Sequence, residues 1–203
     1  MKKYLLIALV ALTAVTANAQ GVKFGVTAGL NLSNWTGDIE DAKYKAGFQV
    51  GVVADWALTE SFSIAPELNF SQKGYKAKFE GIGAYDISAT VNYLTLPINA
   101  LYKFNVSDDS KFLVFAGPYL GYGLSGSVKA TVPGEGSESE DIKFGSKEGE
   151  LKAFDFGLNA GIGFQYTKFF IKAQYNLGLA NLSNVDGNSI KNSNIGVTLG
   201  YLF

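Results

Sequence analysis

The sequence predicts an all-β protein: an eight-stranded antiparallel up-and-down transmembrane β-barrel behind a cleavable signal peptide. Three observations carry that reading. Apolar and other residues alternate with period two in eight segments, each long enough to cross a bilayer as a tilted strand of about 9–11 residues. The connections between these segments alternate between short and long. Aromatic residues gather toward one end of the apolar faces, as side chains do at a membrane–water interface.

The leader comes first. Lys2 and Lys3 precede an apolar run from Tyr4 to about Ala17, which ends in the small-x-small triplet Ala17-Asn18-Ala19. This is the layout of a signal peptide cleaved between Ala19 and Gln20. The run is shorter than the roughly 20 residues a spanning helix needs. No cysteine follows the cleavage site, so lipoprotein processing is excluded. The domain reading is therefore a signal peptide over 1–19 and a barrel over 20–203.

The strands follow in order. Over 22–32, Phe24, Val26, Ala28, Leu30 and Leu32 share one face, with Lys23, Gly25, Thr27, Gly29 and Asn31 opposite. Over 46–58, the apolar face runs from Phe48 through Val52 to Leu58 against Gln49, Gly51 and Asp55. Over 62–71, Phe62, Ile64, Leu68 and Phe70 oppose Ser63, Glu67 and Asn69. Over 92–104, Leu94 to Phe104 oppose Tyr93, Asn99 and Lys103. Over 112–125, Phe112 to Leu124 oppose a face rich in small residues such as Gly117, Gly121 and Gly123. Segments 153–166, 169–179 and 194–203 repeat the pattern, with Asp155, Asn159, Gln165, Lys172, Gln174 and Asn176 on the polar faces. Short turns are expected near 59–61, 105–111 and 167–168, and long solvated loops near 33–45, 72–91, 126–152 and 180–193. An even-stranded barrel with short turns at one rim and long loops at the other has this rhythm.

Alternation alone also fits a soluble barrel with an apolar interior. Export and the polar or glycine character of the second face favour lipid outside. So does a ring of aromatics at the short-turn rim, including Phe24, Trp56, Phe62, Tyr102, Phe112, Tyr166 and Phe169. The location expected is the outer membrane of a Gram-negative cell.

Composition narrows the function. The chain has no Cys and no His, so neither zinc ligation nor a His-activated nucleophile can be built. All 17 basic residues are lysines, and the formal charge of −1 argues against nucleic acid as a partner.

Several segments resemble the Bacteroidetes outer-membrane β-barrel family, PorT-like and of the small OmpA or OmpX type. These are Asn92-Tyr93-Leu94-Thr95-Leu96-Pro97 and Ala116-Gly117-Pro118-Tyr119-Leu120-Gly121-Tyr122, followed by Phe154-Asp155-Phe156-Gly157-Leu158. Tyr175-Asn176-Leu177-Gly178-Leu179 and the closing Gly200-Tyr201-Leu202-Phe203 complete the set. The resemblance implies an eight-stranded outer-membrane barrel and little about activity. Its founding member is linked to protein secretion, and no residue here carries that role over.

Three groups of residues are candidates for function. The polar faces bring Asp55, Glu67, Lys103, Asp155 and Lys172 into the interior, where buried charges must be paired. A structural network is expected, with Lys103 and Lys172 each offsetting a carboxylate. Tyr201 and Phe203 close the last strand and resemble the signal read by the outer-membrane assembly machinery. The stretch 126–152 carries Glu135, Glu138, Glu140, Asp141, Glu148 and Glu150 but lacks the regular spacing of a calcium loop. The functional reading is a barrel with a largely filled lumen, structural or binding through its extracellular loops, without cofactor or enzymatic activity. Its expected partners are membrane lipids, the assembly machinery and an extracellular ligand or protein. The alternatives are a narrow porin-like channel for small hydrophilic solutes and an accessory factor in secretion.

Overall fold

The computed structural model describes residues 21–38, 42–79, 85–132, 134 and 136–203. The expected signal peptide and its Ala19–Gln20 junction lie outside these residues. The strands are β1 (Val22–Gly37), β2 (Lys43–Ala57), β3 (Phe62–Phe79), β4 (Tyr85–Asn105), β5 (Ser110–Val132), β6 (Gly136–Asp141), β7 (Phe154–Tyr166), β8 (Phe169–Gly178) and β9 (Ile190–Leu202). Every pairing between these strands is antiparallel, from Val22↔Trp56 between β1 and β2 round to Val26↔Tyr201 between β1 and β9. The β4–β5 and β5–β7 pairings complete a closed ring of eight strands that leaves β6 outside. Closure removes every edge from the membrane-spanning part, so its backbone groups find partners inside the ring.

Within the ring the phase of the alternation decides what faces where. On β7, Phe154, Phe156 and Leu158 point outward and are exposed, while Asp155, Gly157 and Asn159 point inward. Leu199, Leu30 and Ile162 are 62%, 72% and 52% exposed, whereas Glu67, Asn99 and Thr198 are buried. An apolar exterior of this extent would aggregate in water, and hydrocarbon is the solvent that suits it.

The strands run further than the apolar pattern predicts. β3 continues to Phe79, β4 starts at Tyr85, and β5 reaches Val132, where β6 folds back on it from Ser127↔Asp141 to Val132↔Gly136. Much of the expected loops at 33–45, 72–91 and 126–152 is therefore strand. The cause is an inversion of polarity. Below Phe70 and Leu94 the outward residues are apolar; above them the outward residues are Gln72, Lys76 and Lys78 on β3 and Ser88, Thr90 and Asn92 on β4. The inward residues there are Tyr75, Ala77, Ala89 and Val91. A reading that follows one apolar phase meets a break at this level, although the hydrogen-bonded ladder continues.

Inward glycines provide space for rings. A Cβ on Gly200 would lie 2.0 Å from the Phe170 ring, and one on Gly161 would lie 2.5 Å from the Phe115 ring. Gly200→Val is expected to cost about 1–3 kcal/mol by overpacking, measured by urea unfolding in lipid vesicles. An unchanged midpoint would show that the Phe170 ring has somewhere else to go.

Candidate functional site

The lumen is built in layers from the short-turn rim upward. A vestibule of about 760 Å³ opens at that rim, lined by Lys23, Glu60, Asp108 and Lys111, with Asp55 and Lys103 also contributing. Asp55 (β2) and Lys103 (β4) are both buried, and Lys103 Nζ donates to Asp55 Oδ2 at 2.5 Å. Above them Lys172 (β8) donates to Glu67 (β3). Its ammonium lies 5.3 Å from the Phe115 ring centre and 5.5 Å from that of Phe170, within the range of cation–π attraction. Both rings belong to an apolar plug with Val53, Ala65, Leu101, Leu113 and Leu202. The cavity bordered by Asp55, Glu67, Asn99 and Lys172 has a volume of about 30 Å³. That is about the space of a single water molecule.

Polar side chains link the strands across the middle of the lumen. Thr27 Oγ1 donates to Asn69 Oδ1 at 3.2 Å, and Gln49 Nε2 donates to Thr198 Oγ1 at 2.5 Å. Asn31 Nδ2 donates to Ser71 Oγ at 3.0 Å. Such links let part of a polar interior be desolvated, because each linked group exchanges water for a protein partner.

The third ion pair is one that sequence reasoning missed. Asp155 is fully buried and accepts hydrogen bonds from Asn192 Nδ2 at 2.8 Å and Tyr119 Oη at 3.2 Å. Its charge is balanced by Lys73, whose Nζ lies 3.7 Å from Asp155 Oδ2. The same ammonium lies 4.8 Å from the Tyr119 ring centre and 5.3 Å from that of Tyr93. Lys73 fell in the expected loop 72–91. Its signal was nonetheless present, since Asn69, Ser71 and Lys73 continue the inward phase of β3. The interior charges thus form three pairs along the barrel, Lys103–Asp55, Lys172–Glu67 and Lys73–Asp155.

Above Lys73 the lumen ends in a second apolar cluster. Trp35, Ala89, Val91, Tyr93, Leu151, Ala180 and Leu182 are buried together, with Tyr75, Val128, Ile142, Phe144 and Ile190 packed against them. The Trp35 and Tyr75 rings are 4.7 Å apart. The segments before β7 and after β8 close over the mouth. Lys152 N donates to Leu182 O at 2.9 Å, and Asn184 Nδ2 donates to Gly145 O at 2.9 Å and to Glu150 O at 3.0 Å. The expected solvated loops at 126–152 and 180–193 thus supply part of an ordered cap. Of the acidic residues in 126–152, Glu138, Glu140 and Asp141 lie exposed on β6. Among the described residues, no group of three acidic side chains is placed to hold a metal ion.

At the other end of the chain, Tyr201 and Phe203 both point outward near the short-turn rim. The Tyr201 ring is 4.9 Å from Phe169 and 5.8 Å from Phe203, and Phe203 N donates to Phe24 O at 2.8 Å. The C-terminal strand thereby closes the ring against β1.

Comparison with known proteins settles the family. Residues 18–184 match the family described as outer membrane protein beta-barrel domain. The chain belongs to that family. This outer-membrane β-barrel lies in the outer membrane, with its apolar exterior against lipid. No curated protein matches the sequence. Among solved structures, Ail, the attachment invasion locus protein of Yersinia pestis, is 17% identical, with 91% of this chain and 100% of that chain covered at a TM-score of 0.43. Neisserial surface protein A is 13% identical over 91% of this chain and 100% of that chain, at a TM-score of 0.46. OprG from Pseudomonas aeruginosa is 14% identical over 89% of this chain and 95% of that chain, also at 0.46.

Proposed function

We propose that this outer-membrane barrel is closed to solutes and acts through its extracellular surface, in a structural or binding role and not as an enzyme. The observation that carries the reading is the sequence of obstructions along one axis. The vestibule ends at Lys103–Asp55, the plug around Phe115 and Phe170 follows, and the Trp35 cluster covers the mouth. A hydrated path would have to break paired charges and open two apolar clusters. The interior carboxylates are occupied by lysines, which supports a structural network over an acid–base pair.

The matching test is planar-bilayer conductance of the refolded mature protein, residues 20–203. Folded protein, identified by heat-modifiable gel mobility, is expected to give no discrete steps. Reproducible steps would overturn the closed reading and favour a narrow channel for small hydrophilic solutes.

The same reading assigns the leader up to Ala19 to export, with Gln20 beginning the mature chain. Tyr201 and Phe203 then form the signal for the outer-membrane assembly machinery. The exposed, β-paired C-terminus supports the latter. The motif order from Asn92 to Phe203 supports a PorT-like membership within Bacteroidetes. An extracellular ligand or protein remains the partner class for the loops.

A further inference from the structure

The outer face of the barrel records where lipid ends. Phe70, Leu94 and Tyr122 form one outward row across β3, β4 and β5. The next outward row, two residues higher on β3 and β4 and three on β5 across a bulge, is Gln72, Asn92 and Ser125, joined by Gln72 Nε2 to Asn92 Oδ1 at 3.3 Å and Asn92 Nδ2 to Ser125 Oγ at 3.0 Å. This hydrogen-bonded belt marks the upper limit of the hydrocarbon.

Four residues above the belt, lysines dominate. Lys76 on β3 pairs directly with Lys43 on β2 and with Ser88 on β4, and Ser88 pairs with Lys129 on β5. Neighbouring strands are about 4.8 Å apart, so this row of four strands presents three ammonium groups to one face. A fourth reaches its centre, because Lys45 Nζ donates to Ser88 Oγ at 2.6 Å. Like charges directly opposite each other destabilise a sheet. Lys45 is held below the usual lysine range by partial burial first and by the charge of Lys76 second. The next row up does not share the problem, since Lys78 there lies 3.7 Å from Asp86. Among the described residues, none of Lys43, Lys45, Lys76 and Lys129 has a carboxylate within ion-pair distance.

We propose that this lysine row is a binding site for the phosphate groups of outer-leaflet lipid headgroups. Height selects the lipid. Four residues of strand are about 13 Å, which a tilt of about 40° reduces to about 10 Å above the belt. Lysine stems reach back several ångströms toward the membrane while keeping the ammonium in the polar layer. Lysine binds phosphate as a point charge and needs no forked geometry, which suits headgroups that diffuse past in several orientations. The proposal goes beyond the closed-lumen reading and does not depend on it, since conductance steps would leave it standing.

The test uses the refolded mature protein in phosphatidylcholine nanodiscs containing either diphosphorylated lipid A or its dephosphorylated counterpart, with retained lipid counted by native mass spectrometry. Wild type is expected to retain the phosphorylated lipid preferentially. A basic residue near an anionic surface contributes about fivefold in affinity, so K43Q/K76Q/K129Q is expected to lower retention at least about tenfold. All three side chains lie on strand segments above the lipid, and heat-modifiable mobility checks that the variant folds. K78Q, whose lysine is paired with Asp86, serves as the control and is expected to change retention little. Equal retention of the two lipids, or equal retention by the triple variant, would overturn the proposal. Displacement of lipid A by heparin or inorganic phosphate at matched charge would also overturn it, assigning the row to a soluble anion.

Discussion

Replacing Lys73 with methionine is expected to destabilise the folded barrel by about 3–5 kcal/mol, because a buried carboxylate loses its ammonium partner. Asp155 is fully buried and would keep only the neutral donors Tyr119 and Asn192. Methionine has nearly the length of the lysine stem, so packing between the Tyr93 and Tyr119 rings is largely preserved and the loss reports charge. The double variant K73M/D155N removes both charges and is expected to recover most of the deficit, as replacing a whole buried pair often does. Urea unfolding in lipid vesicles measures each corner of the cycle. Trp35 is a convenient fluorescent reporter, since it is buried in the cap just above this layer, while Trp56 faces lipid near the other rim. A double variant as unstable as K73M would show that the pair contributes shape and not electrostatics.

Arginine at Leu158 or Val52 is expected to cost about 2–4 kcal/mol each, the penalty for a cation at mid-membrane depth on the lipid face. Both side chains point outward, midway along β7 and β2. The informative contrast is Thr90→Arg. Thr90 points outward from β4 as well, but above the Gln72–Asn92–Ser125 belt, and its penalty is expected to be about 0–1 kcal/mol. The same vesicle unfolding experiment ranks the three. Equal penalties at Thr90 and Leu158 would mean that the belt does not mark the hydrocarbon limit.

The barrel itself was legible because each spanning strand repeats one simple rule. Outward residues meet hydrocarbon and inward residues meet a polar lumen, so Phe154, Phe156 and Leu158 separate cleanly from Asp155, Gly157 and Asn159. Where that rule holds it puts Asp55, Glu67, Lys103, Asp155 and Lys172 on inward phases, and all five are buried. Lys73 was lost where the rule changes. At that height the outside becomes water and the inside becomes an apolar core, so Tyr75, Ala77, Ala89 and Val91 turn inward while Lys76 and Ser88 turn outward. The alternation persists with its sign reversed, which reads as loop to any scan that follows a single phase.

By itself, then, the sequence determined the class, the strand number of the ring, the lipid-facing set and the inward phase of five of the six charges that pair in the lumen. Periodicity and solvent polarity are local properties, and each strand carries them independently. Only the tertiary structure decided which charges pair, since Lys73 and Asp155 meet across the lumen from β3 and β7. It also decided that the segments after β6 and β8 fold into a cap over Trp35, and that Lys43, Lys45, Lys76 and Lys129 converge on one face. Those outcomes depend on register and ring closure, which bring together residues far apart in the chain and leave no mark in the local pattern.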